Sequence, residues 1–446
     1  DAPVAVADVA TATEDGAVVT GSVATNDSDV DTGATLTYAV VGTPPAGVTL
    51  NANGTYSFDP SNAAYQSLGA GATQSVVVNY TVSDGIAPPV ASTLTITVTG
   101  VNDAPVAVAD VATATEDGAV VTGSVATNDS DVDVGDVRTY AIVGTAPAGL
   151  TLNADGSYSF DPSNAAYQSL AVGATQVVVA NYTVSDGKGG TATSTLTITV
   201  TGTNDAPVAV ADVYEADEGT GVVTGDLSDN DSDVDVGDVL TYSVVGNAPA
   251  GLTLNADGSW EFDTDNAAYD SLAVGEEAVA TFTYEVSDGN GGTDQATVTL
   301  TVTGTNDAPV AVADVATATE DGPDVTGSVA TNDSDVDASD VLTYALAAPV
   351  AGLTLNADGS YTFDTSDPAY QSLRSGATQV VVANYTVSDG NGGTAASTLT
   401  ITLTGTNDAP VITSPTTGTV SENAPATTVV DDASATDVDA GDVLSY

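Results

Sequence analysis

The sequence predicts an all-β protein made of similar domains in tandem, and three observations lead to this prediction. The tripeptide Asp-Ala-Pro begins at residues 1, 103, 205, 307 and 408, and the sequence between these marks is nearly the same each time. Val and Thr, which favour strands, dominate every interval. Turn-forming Gly, Asn and Asp separate the apolar runs at a spacing of roughly 8 to 15 residues, which is typical of sandwiches.

The repeat sets the predicted domain organisation. We expect domains at 1–102, 103–204, 205–306 and 307–407 and the truncated start of a fifth at 408–446, called repeats 1 to 5 below. Each complete repeat is long enough to bury a core of ordinary domain size. Because the fifth is short and the sequence has no Met, we expect a segment of a longer polypeptide. Any site in one repeat should recur in the others, which disfavours a unique catalytic centre.

Repeat 2 illustrates the predicted strands, in which Val, Thr, Ile, Leu and Tyr alternate with small or polar residues. Seven are expected, at 106–113, 120–125, 138–143, 150–153, 157–161, 176–184 and 194–201. An Asn-Ala-Asp-Gly turn joins the fourth and fifth, because Gly supplies the positive φ that a tight hairpin needs. Only the short segment 164–170 has helical spacing. Seven short strands indicate an immunoglobulin-like β-sandwich.

The direction of each strand follows from its place in the order. If successive strands alternate in direction, the first and seventh run the same way, and a repeat begins and ends at opposite ends of its sandwich. The repeats are therefore expected to stack head to tail. The Glu-Asp turn after the first strand then lies at the end of the sandwich where the repeat finishes, here called its trailing end, together with the Asn-Asp linker. The acidic loop after the second strand and the Ser-Asp-Gly turn after the sixth lie at the leading end, so acids should meet at each junction.

The composition restricts the possible partners. The chain has 61 Asp and Glu against three Lys and Arg, and its formal net charge is −58. Nucleic acids and anionic membranes would repel such a chain, so both are excluded as partners. The chain has no Cys for disulfides and no His, the usual ligand of zinc and copper. No apolar run approaches the roughly 20 residues that span a bilayer.

The acidic loop of repeat 2 reads Asp-Ser-Asp-Val-Asp from Asp129 to Asp133, with acids at alternate positions. Alternate side chains of an extended segment project to one side, so three carboxylates should converge. Their repulsion costs about 1 to 4 kcal/mol per pair, which a bound dication removes. Ca²⁺ takes six to eight oxygen ligands in irregular geometry and suits this set better than Mg²⁺. The loop is no EF-hand, because Val134 and Tyr140 stand where that motif has Gly and Glu.

The remaining ligands are expected from the preceding repeat, so that each junction gathers carboxylates and amides from both sides. The candidate calcium ligands are Glu14, Asp15, Asn102, Asp103, Asp129, Asp131, Asp133 and Asp186 at junction 1/2; Glu116, Asp117, Asn204, Asp205, Asp231, Asp233, Asp235 and Asp288 at junction 2/3; Glu218, Asn306, Asp307, Asp333, Asp335, Asp337 and Asp389 at junction 3/4; and Glu320, Asp321, Asn407, Asp408, Asp437 and Asp439 at junction 4/5. The alternative is a set of solvated acidic turns that bind no ion. Repetition beside every Asn-Asp linker disfavours it.

These motifs resemble two groups of known repeats. The Asn-Asp-Ala-Pro linker, the Asp-x-Asp loop, the Glu turn and the Ser-Asp-Gly turn resemble cadherin repeats, and repeat 5 does so most closely through Val-Ser-Glu-Asn-Ala-Pro at 420–425 and Thr-Asp-Val-Asp-Ala-Gly-Asp at 436–442. The stretch Leu-Asn-Ala-Asp-Gly-Ser-Tyr-Ser-Phe-Asp-Pro at 152–162, followed by Ala-Tyr-Gln-Ser-Leu and Tyr-Thr-Val-Ser-Asp-Gly, is similar to bacterial VCBS and cadherin-like tandem repeats of giant secreted adhesins. The resemblance covers the whole chain.

The resemblance implies an extracellular bacterial protein, of the kind often exported by a type I system, whose repeats form a calcium-stiffened stalk in cell adhesion or biofilm formation. Two departures from the cadherin pattern affect the ligand set. The connection before the sixth strand lacks the acidic triplet of animal cadherins, and Asp161 or Asn164 is the candidate substitute. In addition, Gly219 follows the Glu of repeat 3 where the other repeats have Asp, and Ala34 stands in repeat 1 where repeat 2 has Asp136.

Several other residues are predicted to have a structural role rather than a role in binding. Asp155 and Asp257 are expected to form hairpin turns only. Trp260, like the recurring Tyr38, Tyr140, Tyr242 and Tyr344, should pack in the core. We expect no enzyme, since a glycosidase would need one cleft with two differently tuned acids.

Two function hypotheses remain. In the first, the repeats are a spacer whose partners are neighbouring repeats of the same chain. In the second, the repeats themselves adhere, to like chains or to cell-surface polysaccharide.

Overall fold

The computed structural model describes residues 1–415, 417–429 and 432–445 and consists of two compact units. The first comprises Asp1–Ala206, Asp233–Val239 and Gly289–Gly292, and the second comprises Pro207–Ser232, Leu240–Asp288 and Thr293–Tyr446. Repeats 1 and 2 therefore belong to the first unit and repeats 4 and 5 to the second, whereas repeat 3 is divided between them. Tyr446, at the end of the last repeat, lies outside the described residues.

Seven strands form each repeat of the first unit. Repeat 1 contains β1 (Asp8–Thr13), β2 (Val19–Ser22), β3 (Thr37–Val40), β4 (Val48–Leu50), β5 (Thr55–Phe58), β6 (Thr73–Ser83) and β7 (Val90–Thr99). Repeat 2 contains β8 (Asp110–Thr115), β9 (Val121–Ser124), β10 (Thr139–Ile142), β11 (Leu150–Leu152), β12 (Ser157–Phe160), β13 (Thr175–Ser185) and β14 (Thr191–Thr201). A short 3-10 helix follows the second strand of each, at Val23–Thr25 and Val125–Thr127.

The strands of the second unit follow the same plan. Repeat 3 contributes β15 (Asp212–Asp217), β16 (Val222–Asp226), β17 (Thr241–Val245), β18 (Leu252–Leu254), β19 (Ser259–Asp263), β20 (Glu277–Ser287) and β21 (Thr293–Thr303). Repeat 4 contributes β22 (Asp314–Thr319), β23 (Val325–Ser328), β24 (Thr343–Leu346), β25 (Leu353–Leu355), β26 (Ser360–Phe363), β27 (Thr378–Ser388) and β28 (Thr394–Thr404), and repeat 5 contributes β29 (Val411–Ile412) and β30 (Ala435–Thr436). The 3-10 helices are Leu227–Asp229 and Val329–Thr331.

Each of repeats 1 to 4 forms a four-stranded and a three-stranded sheet. In repeat 2 the strand orders are β8-β14-β13-β10 and β9-β12-β11. β8 pairs in parallel with β14, and the other pairs of this repeat are antiparallel. The first and seventh strands therefore run the same way, as the predicted alternation requires. The other three repeats have the same order, which confirms the predicted all-β sandwich fold.

The core of each repeat lies between its two sheets, and strand alternation determines which side chains enter it. In β13 every second residue from Val178 to Val184 is buried, while the residues between them are more accessible to solvent. The four recurring tyrosines that were expected in the core are buried. Trp260 is 2% exposed and packs edge-on against Tyr214, with ring centroids 4.7 Å apart, so it too has the predicted packing role. Each such side chain contributes about 1.5 to 3 kcal/mol through burial.

Three local features differ from the prediction in repeat 2. The first predicted strand is divided, because Val106 forms an isolated bridge with Ser130 before β8 begins four residues later. The end of the second predicted strand is a 3-10 turn capped by the Ser124 hydroxyl, which accepts from the Ala126 amide. The segment 164–170 forms successive turns rather than a helix. The helices of the described residues span three residues each, so none is long or apolar enough to cross a membrane.

Candidate metal centre

At junction 1/2, a buried glutamate closes the trailing end of repeat 1. Glu14 follows β1, and its backbone N–H donates to the Thr99 carbonyl at the end of β7 (2.9 Å). Its Oε2 accepts from the Val101 amide (2.9 Å), and the residue is only 1% exposed. The other oxygen, Oε1, is buried without a hydrogen-bond partner. The parallel pairing of first and last strands therefore fixes this carboxylate beside the linker.

The linker of the same junction is tied to the acidic loop of repeat 2. The Asp103 amide donates to Asp133 Oδ2 (2.9 Å), and the Asp133 amide donates to Asp131 Oδ1 (3.0 Å). Asp133 is 4% exposed. Its Oδ1 and the Oδ2 of Asp103 are buried without hydrogen-bond partners. The loop and the linker thus each present one carboxylate oxygen without a hydrogen-bond partner at this junction.

Burial and mutual repulsion shift the pKa values of these acids. Burial raises the pKa of Glu14 above its usual value, and the charges of Asp103, Asp133 and Asp15 raise it further, although the Val101 amide opposes them. Burial also raises the pKa of Asp103, and the charges of Asp15 and Asp133 add to the effect. The negative charges of four residues therefore repel one another, namely those of Glu14, Asp15, Asp103 and Asp133. These four residues are called the linker cluster, a name that also applies to the equivalent residues of the other junctions.

A second group of acids, here called the loop cluster, consists of Asp131, Asp136 and Asp186 at junction 1/2. Carboxylate oxygens of these three residues lie within 4.8 Å of one another. Asp186 is 3% exposed, and the Asn102 amide of the linker donates to its Oδ2 (2.8 Å). This bond lowers the pKa of Asp186, with help from the backbone amides of the following turn. Asn102 Oδ1 is buried without a hydrogen-bond partner.

Asp136 belongs to this cluster although the sequence prediction did not include it. It stands three residues after Asp133, beyond Gly135, whose φ is +97°. The turn at Gly135 brings the chain back, so Asp136 shares the cluster with Asp131. The sequence did contain a signal for this residue, because a further acid follows the Asp-x-Asp pattern in the other loops as well, as Asp238, Asp340 and Asp442.

The first acid of the loops in repeats 2, 3 and 4 forms hydrogen bonds within its own repeat. Asp129 Oδ1 accepts from the Val108 amide (2.7 Å), which belongs to the start of the same repeat. Asp333 accepts from the Val312 amide in the same way (2.6 Å), and Asp231 accepts from the Tyr284 hydroxyl (3.0 Å). The prediction assumed that three alternate residues share one side. The bridge between Val106 and Ser130 instead holds the beginning of the loop against its own sandwich.

The first unit also contains most of junction 2/3. Glu116 Oε2 accepts from the Thr203 amide (3.0 Å), and the Asp205 amide donates to Asp235 Oδ2 (2.9 Å). Asn204 donates to the Asp205 carbonyl (2.8 Å), and Asp233 accepts from the Asp235 amide (2.9 Å). Burial, followed by the charge of Asp117, raises the pKa of Asp205. The remaining predicted ligands of this junction, Asp231 and Asp288, belong to the second unit.

Junction 3/4 lies within the second unit and repeats the geometry. The Thr305 amide donates to Glu218 Oε2 (3.2 Å), and the Asp307 amide donates to Asp337 Oδ2 (2.9 Å). Asn306 donates to Asp389 Oδ2 (2.9 Å). The loop cluster consists of Asp335, Asp340 and Asp389, whose carboxylate oxygens lie within 4.8 Å of one another.

Junction 4/5 brings the linker cluster closest together. Carboxylate oxygens of Glu320, Asp408 and Asp439 lie within 4.8 Å of one another, and each residue has a buried oxygen without a hydrogen-bond partner. The Asp408 amide donates to Asp439 Oδ2 (3.1 Å), and Asn407 donates to the Asp408 carbonyl (2.7 Å). After burial, the charge of Asp321 is the largest cause that raises the pKa of Asp408. Asp437, Asp439 and Asp442 form a second group.

Comparison with known families decides the identity of these repeats. The profile of the family described as bacterial cadherin-like domain matches residues 1–100, 102–202, 204–304 and 306–405. The chain belongs to this family. A calcium-binding lectin, RapA2 of Rhizobium johnstonii, is 29% identical over 170 residues, which are 34% of this chain and 70% of the lectin.

Solved structures confirm the cadherin-like fold. The extracellular domain of protocadherin gamma B4 has a TM-score of 0.53 at 18% identity over 98% of this chain and 73% of that protein. Extracellular cadherin domains 1–5 of protocadherin gamma B2 have a TM-score of 0.53 at 16% identity over 90% of this chain and 79% of that protein. At such identities the likeness concerns the fold alone.

In these bacterial cadherin-like repeats, the unpartnered atoms fit a hard cation. Buried polar groups normally have hydrogen-bond partners, because an unpaired one costs roughly 1 to 3 kcal/mol. The atoms concerned are carboxylate oxygens and, at junctions 1/2 and 3/4, the amide oxygens of Asn102 and Asn306, and these are the ligands that Ca²⁺ takes in sets of six to eight. Residues from both sides of each junction would hold it.

The candidate substitutes before the sixth strand are engaged in local turns. Asp161 Oδ1 accepts from the Ser163 amide and hydroxyl, and Asn164 Oδ1 accepts from the Ala166 amide. Asp155 likewise accepts from Ser157, as expected for a hairpin turn.

Proposed function

We propose that this chain is a calcium-stiffened stalk segment of a large extracellular bacterial adhesin. Its repeats hold a distal adhesive domain away from the cell and thereby support adhesion or biofilm formation. The proposed domain boundaries are those of the sequence analysis. The near identity of the repeats supports a spacer, because each repeat then presents the same surface and none has a binding groove of its own.

One observation carries the proposal: buried carboxylate oxygens from two successive repeats lie together without hydrogen-bond partners. At junction 4/5, oxygens of Glu320, Asp408 and Asp439 lie within 4.8 Å of one another. Three carboxylates held at such distances repel one another by about 1 kcal/mol per pair or more. A bound cation reverses the sign of this interaction, so the same residues would then hold two repeats together.

The arrangement of the ligands explains why a bound ion would stiffen the chain. Glu14 is fixed to the end of β7 by the hydrogen bond from its amide to the Thr99 carbonyl, and its side chain accepts from the Val101 amide just beyond, whereas Asp133 belongs to a loop of the next repeat. Asp103 lies in the linker between them. Ligands from three segments would restrict the backbone dihedrals of the linker further than its hydrogen bonds do.

Export and location are part of the same proposal. The chain is expected outside the cell, where millimolar calcium can occupy sites of moderate affinity. The VCBS-like stretch supports secretion by a type I system, and the absence of Cys in the sequence is compatible with an array stabilised by ions rather than disulfides. We propose no enzymatic activity.

Small-angle scattering of the full chain with chelator and with millimolar Ca²⁺ tests the proposal. Calcium should increase the maximum dimension of the particle and raise the melting temperature. Mg²⁺ at the same concentration is the control and should have a smaller effect. Scattering and melting that are the same with chelator and with Ca²⁺ would contradict the proposal.

A second candidate function is that the repeats themselves adhere, by contact with like chains or with polysaccharide. The similarity to a calcium-binding lectin favours this alternative. Binding of the full chain to immobilised bacterial polysaccharide, together with sedimentation in Ca²⁺, separates the two. A chain that stays monomeric and binds no glycan supports the spacer, whereas saturable binding supports the adhesive module.

A further inference from the structure

A short turn of each complete repeat contacts the acidic loop of the next repeat through a backbone hydrogen bond. The turn precedes the sixth strand and is called the docking turn; in repeat 4 it comprises residues 372–374. The Ala440 amide of repeat 5 donates to the Ser372 carbonyl of this turn (3.1 Å). The equivalent bonds of the other junctions run from Val134 to Ser67 (3.2 Å), from Val236 to Ser169 (3.2 Å) and from Ala338 to Ser271 (3.4 Å). Each loop is therefore held against the preceding repeat by a contact that involves no carboxylate.

Junction 4/5 has a second bond at the same place. The Arg374 Nε donates to the Ala440 carbonyl and lies 3.5 Å from Asp442 Oδ1. Ser372 and Arg374 thus hold Ala440 by both its amide and its carbonyl. At the position of Arg374, the other docking turns have residues without a side chain that can donate, namely Gly69, Ala171 and Ala273.

The chain has three basic residues, and all of them bond to an acidic loop. Arg138 and Lys188 bond to the loop of their own repeat, through the Asp129 carbonyl and the Asp136 carboxylate. Arg374 belongs to repeat 4 and bonds to the loop of repeat 5. Of the three side chains, it is therefore the one that connects one repeat to the next.

The loop of repeat 5 leaves room for the guanidinium group at Gly441. A Cβ added there would overlap a guanidinium nitrogen of Arg374. Repeat 3 has Gly237 at the equivalent position, and both glycines have positive φ, 101° for Gly237 and 83° for Gly441. Repeat 4 has Ser339 there. The arginine contact is therefore compatible with the loop of repeat 3 but not with that of repeat 4.

We propose that Arg374 is a calcium-independent contact that docks the loop of repeat 5 onto repeat 4. It places a positive charge beside the group of acids that Asp442 forms with Asp437 and Asp439, and so offsets their repulsion without a metal ion. A guanidinium group does not lose its proton in proteins. Junction 4/5 therefore keeps more of its contact than the other junctions when calcium is removed.

Hydrogen exchange of the full chain in chelator measures this docking, because the loop amides are the donors. The Ala440 amide reports junction 4/5, the Val236 amide junction 2/3 and the Ala338 amide junction 3/4. Arg374→Ala installs the residue of repeats 2 and 3. It should lower the protection of the Ala440 amide by about fivefold, the upper range for a partly exposed ion pair, and leave the other two amides unchanged.

Transfer of the contact to another junction is the reciprocal test. Ala171→Arg should raise the protection of the Val236 amide by about fivefold in chelator, because the loop of repeat 3 has the glycine that leaves room for the side chain. Ala273→Arg is the matched control and should not protect the Ala338 amide, because the loop of repeat 4 has a serine there. Ala273 is only 4% exposed, so the melting temperature of this variant is measured as well.

A second control moves the charge by one residue. Ser375 is exposed, and Arg374→Ala combined with Ser375→Arg keeps the net charge of the wild type. This variant should exchange at Ala440 like Arg374→Ala alone. It controls for charge even if Ala273→Arg disturbs the fold of repeat 3.

The proposal is overturned if the Ala440 amide is equally protected in the wild type and in Arg374→Ala. Recovery of protection with the charge at residue 375, or equal gains from Ala273→Arg and Ala171→Arg, would show that net charge acts rather than a defined contact. Absence of a gain from Ala171→Arg would contradict the claim that one side chain docks a loop. Because calcium is absent throughout, none of these outcomes depends on the proposed function.

Discussion

Lys188 places an ammonium group in the loop cluster of junction 1/2, where repeats 3 and 4 have an amide. Its Nζ lies 2.5 Å from Asp136 Oδ1, and this hydrogen bond, together with the charge of Asp136, raises the pKa of the lysine. At the equivalent positions Asn290 donates to Asp238 (3.0 Å), and Asn391 donates to Asp340 (2.8 Å). Junction 1/2 therefore carries a cation of its own that would compete with a metal ion at these acids.

This difference predicts the effect of Lys188→Asn. Calcium affinity at junction 1/2 should rise by roughly tenfold, since a unit charge a few ångströms from a dication repels it by 1 to 2 kcal/mol even in water. Calorimetry on the full chain measures it, with Asn391→Lys as the reciprocal control that should weaken junction 3/4. Equal affinities in all three proteins would mean that Lys188 lies outside the site in solution.

At the same scale, the sequence predicted only part of the acidic groups that the structure brings together. The alternation in the loop predicted that Asp131 and Asp133 lie at the junction, and in the structure Asp133 accepts from the Asp103 amide of the linker while Asp131 lies in the loop cluster. It also included Asp129, which instead accepts a bond from its own repeat, and it missed Asp136 beyond the turn at Gly135. The rule that alternate side chains share one side holds only for an extended segment. It does not apply to residues beside a β-bridge or beyond a turn.

At the scale of structural elements, the stability of the linker depends on the ionisation of the acids around it. Burial raises the pKa of the four glutamates after the first strands above 4.5, and it raises that of Asp103, Asp205 and Asp408 above 3.8. A group whose pKa is raised by folding stabilises the fold below its unfolded pKa. This contribution is lost as the pH rises through the folded value.

Without metal ions, the chain should therefore be more stable near pH 5 than at pH 7.5. The lowered pKa of Asp186 and Asp389 acts in the opposite direction only below about 3.8, outside this window. Melting temperatures in calcium-free buffer check the prediction. With millimolar Ca²⁺ the order should reverse, because protons then compete with the ion for the same oxygens. A calcium-free chain that melts earlier at pH 5 would show that the carboxylates are not crowded.

The elements themselves were largely predictable. Alternation of apolar residues and turn signals located seven strands in repeat 2, and the assumption of alternating direction gave β8 and β14 the same direction. That these two strands pair was not predicted. The division at Val106 was not predictable, because a bridge to the distant Ser130 decides it. Local periodicity contains no information about such partners. In the segment 164–170, amide hydrogen bonds from Tyr167 to Asn164 and from Leu170 to Tyr167 close single turns, which the helical spacing of the sequence does not distinguish from a helix.

At the scale of the whole molecule, repeats that interact only with their neighbours should respond independently to mutation. Asp131→Ala combined with Asp133→Ala should remove calcium-dependent protection at 101–105 and leave protection at 304–309 as in the wild type. Hydrogen exchange of the full chain, with and without calcium, measures both segments at once. The corresponding variant Asp335→Ala with Asp337→Ala is the control and should reverse the pattern. Equal loss at both segments would show that the array responds as one cooperative body.

The parallel pair of first and last strands has a mechanical consequence. In repeat 1, β1 and β7 are paired over six residues, from Asp8 opposite Leu94 to Thr13 opposite Thr99. Tension applied at the two termini of the repeat pulls these neighbouring strands in opposite directions along their length. The hydrogen bonds between them are then loaded together in shear instead of opening one after another like a zip. A chain of such repeats should resist stretching by flow at every repeat, with the same pair of strands bearing the load.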